Sequence, residues 1–298
     1  MAWKGLHITQ ASRLSLADGQ CCVSQDAGEV RAPIEDIAFL IVDTPQATLS
    51  SALIAALMDA GVAVVFSDAK HTPSGLLAPF HRHHRQGALA RIQATARDSV
   101  KRRLWRDIVR QKIVNQADAL AATGHPEART LKEMARHVEP DDPGNVEARA
   151  ARFYWGRLFD DFTRADETDR RNKLLNYGYA VVRAGVARAL VASGFLPALG
   201  LKHDGAANAF NLADDLFEPF RPFVDTLART VFANGDKTGD LTVEDRRAMA
   251  GALHIDCSFD CGAVTLLVGA EMAAASLARC FESGTPTLLE LPSLESRT

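Results

Sequence analysis

Apolar and polar residues alternate in short runs over the first quarter of the chain. LHI, RLSLA, QCCVS, EVRAP and IAFLIVD are each long enough only for a strand, and Asp18-Gly19, Asp26-Ala27-Gly28 and Pro33 separate them as turn residues do. From residue 47 the period lengthens. Leu49, Leu53, Ala56 and Leu57 recur at helical spacing until Gly61, so a helix is expected over 47–60, and AVAVVFSD after it predicts a sixth, buried strand. Pro73, Gly75 and Pro79 then interrupt any pattern, and residues 76–87 read as a linker. Beyond it the helical period persists. Leu89, Ile92, Val100, Leu104, Ile108, Ile113, Ala117 and Leu120 predict one amphipathic helix over 88–122, stopped by Gly124. Further helices are predicted over 127–137, 145–163, 171–193, 208–218, 220–234, 242–252 and 263–281. Asn145 and a Thr242/Asp245 capping box serve as starts, and 285–298 reads as a loose tail. The fold class is α+β: a small N-terminal β-sheet or β-sandwich domain over 1–75, then a larger all-α domain over 88–284.

Composition narrows the function. With 298 residues and 47% hydrophobic content the chain can bury a substantial core, and it carries no apolar run long enough to cross a membrane. The opening MAWKGLHITQASRLSL is broken by Lys4, His7, Gln10 and Arg13, unlike a signal peptide, so a cytoplasmic protein is expected. Five cysteines without CxxC spacing predict neither a disulfide framework nor a zinc site, and neither a GxGxxG nor a GxxxxGK[ST] fingerprint is present.

A net charge of −3 excludes indiscriminate coating of nucleic acid, but the charge is uneven. Between residues 82 and 112 the chain holds Arg82, Arg85, Arg91, Arg97, Lys101, Arg102, Arg103, Arg106, Arg110 and Lys112 against Asp98 and Asp107 alone. Such a segment binds a polyanion at a defined place or forms a solvated helix face. Three histidines, His81, His83 and His84, sit among these arginines. Adjacent side chains point apart and the guanidiniums repel a cation, so a hinge or phosphate-contacting segment is expected there rather than a metal site.

Three helical segments carry polar residues that their apolar patterns do not require. NVEARAARFYW places Glu147 in a first helical turn, where the helix dipole favours a carboxylate. NKLLNYGY places Asn176, Tyr177 and Tyr179 in a helix-forming run. The third, HDGAANAFNLADDLFEPFR, follows the Gly/Pro-punctuated loop GFLPALGLKH. In it Asp215 and Glu218 stand one helical turn apart, so two carboxylates could converge with His203 on one divalent cation; the plainer reading makes Asp214 and Asp215 exposed first-turn acids.

Taken together, NVEARAARFYW, LLNYGYAVVRAGVARALVASGF, PALGLKH and NAFNLADDLFEPFRPFVD, with Trp105, Lys112, Asn115 and Gln116 in LWRDIVRQKIVNQADAL, resemble the CRISPR-associated integrase of spacer acquisition. The match spans residues 1–280 and is closest to the type II branch of this core adaptation protein. The resemblance implies that Glu147, His203 and Glu218 are the catalytic metal ligands, with Asp215 either ligating or supporting, and that Mg²⁺ or Mn²⁺ is the cofactor. Glu218 departs from the aspartate of many relatives. Asp214 would then return to the surface. Asn208 and Tyr177 would orient the ligands or a phosphate, Asn176 would hold a helix junction, and Arg221 would pair with an acid near the site or reach DNA. Arg82, Arg85, Arg91, Arg102, Arg103 and Arg106 would touch DNA phosphates.

The implied reaction joins the 3′-hydroxyl ends of a captured short double-stranded DNA to a CRISPR repeat by transesterification. Its implied partners are a second copy of the chain and the small adaptation protein that bridges two dimers; a part for the type II effector nuclease stays open. The same residues with water as nucleophile would make a nuclease of branched or damaged DNA, and a degenerate site would leave a DNA-binding scaffold.

Overall fold

The structure is a computed structural model that describes residues 4–77, 79, 84–233 and 236–294. Arg82, His81 and His83, where phosphate contacts are expected, lie outside the described residues. The chain opens with β1 (Lys4–Ile8), β2 (Ser12–Ala17), β3 (Gln20–Gln25), β4 (Gly28–Pro33), β5 (Ile37–Val42) and β6 (Ala47–Leu49), then α1 (Ser51–Ala60), β7 (Ala63–Ser67) and β8 (Pro73–Leu77). They form two four-stranded sheets of order β1-β5-β7-β8 and β4-β3-β2-β6. Asp18 and Gly19, both at positive φ, make the two-residue turn that folds β3 back antiparallel on β2.

The apolar run of β5 is buried at every position because the strand serves two cores. Leu40 and Val42 face Leu14, Cys21, Val23, Leu53 and Leu57 between the sheets. Phe39 and Ile41 face the opposite way, into the core of the helical region, beside Ala63 and Val65 of β7. The helices thus pack on the outer face of the mixed β1-β5-β7-β8 sheet.

That region contains α2 (Gln86–Ala94), α3 (Asp98–Ala122), α4 (Ala128–Arg136), α5 (Val146–Leu158), α6 (Arg170–Ala192), α7 (Asn211–Phe217), a 3₁₀ turn over Glu218–Phe220, α8 (Arg221–Phe232) and α9 (Val243–Ala250). The hairpin β9 (Asp256–Phe259) and β10 (Gly262–Thr265) and the helix α10 (Leu266–Ser283) complete it. An N-terminal β region followed by a helical one is the architecture that the hydrophobic pattern predicts.

Several details differ from the sequence expectation. α1 starts at residue 51 rather than 47, because Ala47–Leu49 pair in parallel with β2 and the Ser50 side chain caps the helix at Leu53 N. The helix expected over 88–122 is two helices. Arg97 is extended between them, and Gln93 on α2 is held by the carbonyls of Leu196 and Leu199, at 2.9 and 2.7 Å. β8 occupies the start of the expected linker, and the β9–β10 hairpin replaces the start of the last predicted helix. The expected loose tail is tied down through residue 294. Asn115 donates to Pro292 O at 2.9 Å and accepts from Leu294 N at 3.2 Å, and Ser293 pairs with Ser258. Local periodicity is blind to such contacts, which join residues far apart in sequence.

Candidate active site

Three elements meet around the ammonium group of Lys112. Lys112 follows Ile108 and Val109 on the buried face of α3, so its alkyl stem crosses apolar packing before its head reaches polar groups. Its Nζ lies 2.6 Å from Glu147 Oε1 on α5 and 2.5 Å from Glu218 Oε2 in the 3₁₀ turn after α7. Arg221 Nε holds the other oxygen of Glu218 at 2.9 Å. One turn along α3 from Lys112, Asn115 donates to Pro219 O at 2.7 Å and fixes that turn against the same helix.

Glu147 owes its place to Asp142. Asn145, predicted as the cap, is in the left-handed conformation and makes no side-chain cap bond. The Asp142 carboxylate accepts instead from Val146 N at 2.9 Å and Glu147 N at 3.0 Å.

Charge on Glu218 is retained against its burial. Desolvation pushes its carboxyl up, but Lys112 and Arg221 outweigh it and hold Glu218 below the ordinary glutamate range. The same pairing works on Lys112, where burial alone would lower the ammonium and the charges of Glu218 and Glu147 raise it.

His203 sits on a loop anchored by Asp215, which is fully buried. Asp215 Oδ2 accepts from Leu201 N at 2.5 Å and Lys202 N at 3.1 Å, while Oδ1 accepts from His203 N at 3.2 Å and meets His203 Nδ1 at 2.7 Å. Both oxygens are therefore engaged, and Asp215 stands behind His203 as an orienting group. Gly200 is required for this fold of the loop, since a Cβ there would lie 2.2 Å from His203 O and 2.8 Å from Asp215 Oδ2. Trp105 on α3 meets the imidazole edge-on, with ring centroids 5.9 Å apart. The hydrogen bond to Asp215 raises His203 above its ordinary value although burial opposes it, with Glu218 adding to the rise.

Two of the three predicted ligands, Glu147 and Glu218, thus converge on one cation position. Among the described residues no group of three His, Cys, Asp or Glu side chains is close enough to enclose a metal, so His203 stands by without completing a cage.

The supporting residues are distributed differently from the prediction. Asp214 is not a surface acid: Arg183 grips it, with Nη2 at 2.9 Å, and Asn208 Nδ2 donates to it at 2.7 Å. Asn208 therefore braces that pair and the start of α7, where it accepts from Phe210 N. Tyr177 points to the opposite side of α6. Its hydroxyl is 3.1 Å from His7 Nε2, in a buried cluster where Asp43 also receives His71 and Arg246. Asn176 is exposed and accepts from Arg164 at 2.7 Å. Neither residue reaches the glutamates.

Of the described arginines, Arg91, Arg102 and Arg103 are exposed, Arg85 pairs with Glu282, and Arg106 is taken up by Asp107. Arg102 adjoins the site, because its carbonyl accepts from Asp141 N in the turn that leads to Asp142, and Lys202 reaches Asp141 at 2.7 Å. Sequence reasoning assigns no site role to Lys112, Trp105, Asn115 or Asp142. A signal is present for one of them, a lysine four residues after Ile108 on an otherwise apolar helix face.

Comparison with known proteins agrees with this architecture. The family model for CRISPR associated protein Cas1 matches residues 6–253. A CRISPR-associated endonuclease Cas1 from Neisseria meningitidis serogroup C (strain 8013) is 37% identical over 262 residues, which are 87% of this chain and 86% of that protein. Among solved structures, a casposase bound to its integration product superposes with a TM-score of 0.77 at 17% identity, covering 95% of this chain and 92% of the casposase. A chain of a Cas6-RT-Cas1–Cas2 complex superposes at 0.75 and 18% identity, over 99% of this chain and 36% of that longer one. These structures share the fold, and the sequence relationship shows that the chain belongs to the Cas1 family of CRISPR-associated proteins.

Proposed function

We propose that this protein joins the 3′-hydroxyl ends of a captured short double-stranded DNA to a CRISPR repeat by phosphodiester transesterification, at a Mg²⁺ or Mn²⁺ site formed by Glu147, His203 and Glu218. One observation carries the reading: oxygens of Glu147 and Glu218 lie 2.6 and 2.5 Å from a single cationic nitrogen, so these two carboxylates already address one cation position. A pair of carboxylates with an imidazole is an O/N donor set suited to these ions, with Nε2 of His203 as the nitrogen donor. A divalent ion held there supplies Lewis-acid stabilisation of the phosphodiester and lowers the cost of deprotonating the attacking hydroxyl.

The chain's own residues do the rest. Asp215 fixes the His203 ring through Nδ1 and leaves Nε2 as the donor. Arg221 keeps Glu218 ionised, and Asp142 holds the turn that presents Glu147. Exposed Arg91, Arg102 and Arg103 bind phosphates of the DNA and set its position without reading bases. The new P–O bond forms as the P–O3′ bond of the repeat breaks, the attacking hydroxyl gives its proton to solvent, and the departing O3′ takes one up.

The casposase with its integration product and the Cas1–Cas2 complex support this substrate and partner class. We assign the β-rich region over 1–75 to dimerisation and to contact with the small adaptation protein, the helical region over 88–284 to catalysis, and the whole to the cytoplasm. Among the described residues no helix is long and apolar enough to cross a membrane. A role beside the type II effector nuclease extends the same proposal.

Glu147→Ala, His203→Ala and Glu218→Ala should each abolish Mn²⁺-dependent joining of a labelled duplex to a repeat while leaving the folded far-UV spectrum. Full activity in any one removes that residue from the ligand set. Products shorter than the substrate, with none longer, would show water as the nucleophile and a nuclease in place of an integrase.

A further inference from the structure

Lys112 has no role in that reaction, yet it occupies the centre of the site. Burying an ammonium and ordering a four-carbon stem are both costly, so its position demands a compensating interaction. Its geometry makes Lys112 more than an ordinary ion pair, because it bridges carboxylates of two different elements. Arg221 at 2.9 Å also holds Glu218, so what Lys112 adds beyond charge is the bridge between Glu218 and Glu147. Glu218 Oε2 is buried and lies 2.5 Å from Lys112 Nζ, which also reaches Glu147. Two carboxylate oxygens from different elements that face one point suit a divalent cation as well as an ammonium.

We propose that Lys112 is a tethered cation that keeps Glu147 and Glu218 at ligand spacing and is exchanged for the divalent ion when that ion binds. The inference rests on the metal reading of the same site. Two like charges drawn to one point repel unless a cation lies between them, and a lysine on the rigid helix α3 supplies it within the fold. Metal entry is then a competition against a local ammonium, which weakens apparent affinity. The displaced ammonium stays beside the site on its stem, where the negative oxygens of a phosphodiester are its next partner. Removing Lys112 should therefore move binding and turnover in opposite directions, which a purely structural role does not predict.

The test uses the full chain stripped with EDTA and compares wild type with Lys112→Met, Lys112→Gln and Lys112→Arg; Glu218→Gln serves as the control that loses a ligand. Free Mn²⁺ is read by its EPR signal and melting is followed with and without Mn²⁺. Lys112→Met and Lys112→Gln should bind Mn²⁺ roughly tenfold tighter than wild type. Both should melt lower without metal, gain more on Mn²⁺ addition, and turn over more slowly at saturating Mn²⁺. Lys112→Arg, which keeps the charge, should bind no tighter than wild type. Mn²⁺ binding that is lost in Glu218→Gln but unchanged or weaker in the two neutral variants overturns the exchange and leaves Lys112 a structural ion pair. Absence of Mn²⁺ binding in wild type and in both neutral variants overturns the metal reading itself, and the exchange with it.

Discussion

Asp215 and Glu218 are three residues apart and both are buried acids, yet they have different tasks. Asp215 gathers three loop amides and the His203 ring, while Glu218 faces Lys112 and Arg221. An orienting carboxylate behind a metal-binding imidazole typically contributes 10–100-fold. Asp215→Asn replaces one acceptor by an amide donor that faces backbone N–H groups. It should lower strand transfer by roughly 10–100-fold with only a modest drop in melting temperature, as read from initial rates and a thermal melt. Undiminished rates would mean that His203 is placed by Trp105 and Gly200 alone. The pairing of His203 with an acid twelve residues on was within reach of sequence reading. The choice between ligand and brace was not, because it depends on the direction in which each carboxylate leaves the helix.

At the scale of elements, α3 is the strut of the site. It carries Trp105 under His203, Lys112 between the glutamates and Asn115 on the turn after Glu218. The start of α5 depends on Asp142, three residues ahead of the Asn145 expected to cap it. Asp142→Ala should cost about 0.5–2 kcal/mol in denaturant unfolding. It should also reduce strand transfer, since Glu147 sits in the freed turn; a stability loss with full activity would show that Lys112 alone positions Glu147. The basic stripe sorts by partner. Arg102 and Arg103 are exposed, whereas Arg106 is tied to Asp107. Neutralising Arg102 and Arg103 should lower the slope of log affinity for DNA against log salt by about 0.9 for each phosphate left without its arginine, and Arg106→Ala should change it less. An identical slope in the double variant would make the stripe a solvated face.

Across the whole molecule, two buried polar clusters join the elements. Asp43, just after β5, is held by His7, His71 and by Arg246 of α9, so it links the β region to the helices. Asp225 on α8 lies among Tyr154 of α5 and Tyr179 of α6, both of which donate to it. Burial pushes the Asp225 carboxyl up to about 7, against the opposing effect of the tyrosine bonds. Its folded value lies above the unfolded value of 3.8, so the folded state holds the proton more tightly. The stabilisation from this group is complete below about 4 and is lost as pH rises to about 7. Carboxyls held low, such as Asp43 and Glu218, act in the opposite sense and at lower pH. Asp225→Asn should therefore flatten the decline of unfolding free energy between pH 4 and 7, measured by urea titration; an unchanged pH profile would place the ionised carboxylate in the folded core.

The order of elements and the chemical types available to the site follow from the amino-acid sequence alone. Alternation, helical period, caps and turn residues are set by near neighbours, which is why β1 to β5, β7, the Thr242 capping box and the start of α6 are legible in it, whereas β6 and β8 are not. The same locality concealed the break at Arg97, the docked tail and the β9–β10 hairpin. Which acids share a cation is decided by packing. On a continuous helix Asp215 and Glu218 would face the same way. The chain tightens into a 3₁₀ turn at Glu218–Phe220, pinned to α3 through Asn115, and this turn aims Glu218 at Lys112 while Asp215 stays on α7 facing the His203 loop. A point of charge defined by residues 112, 147 and 218 is a property of distant helices brought together, and no local pattern encodes it.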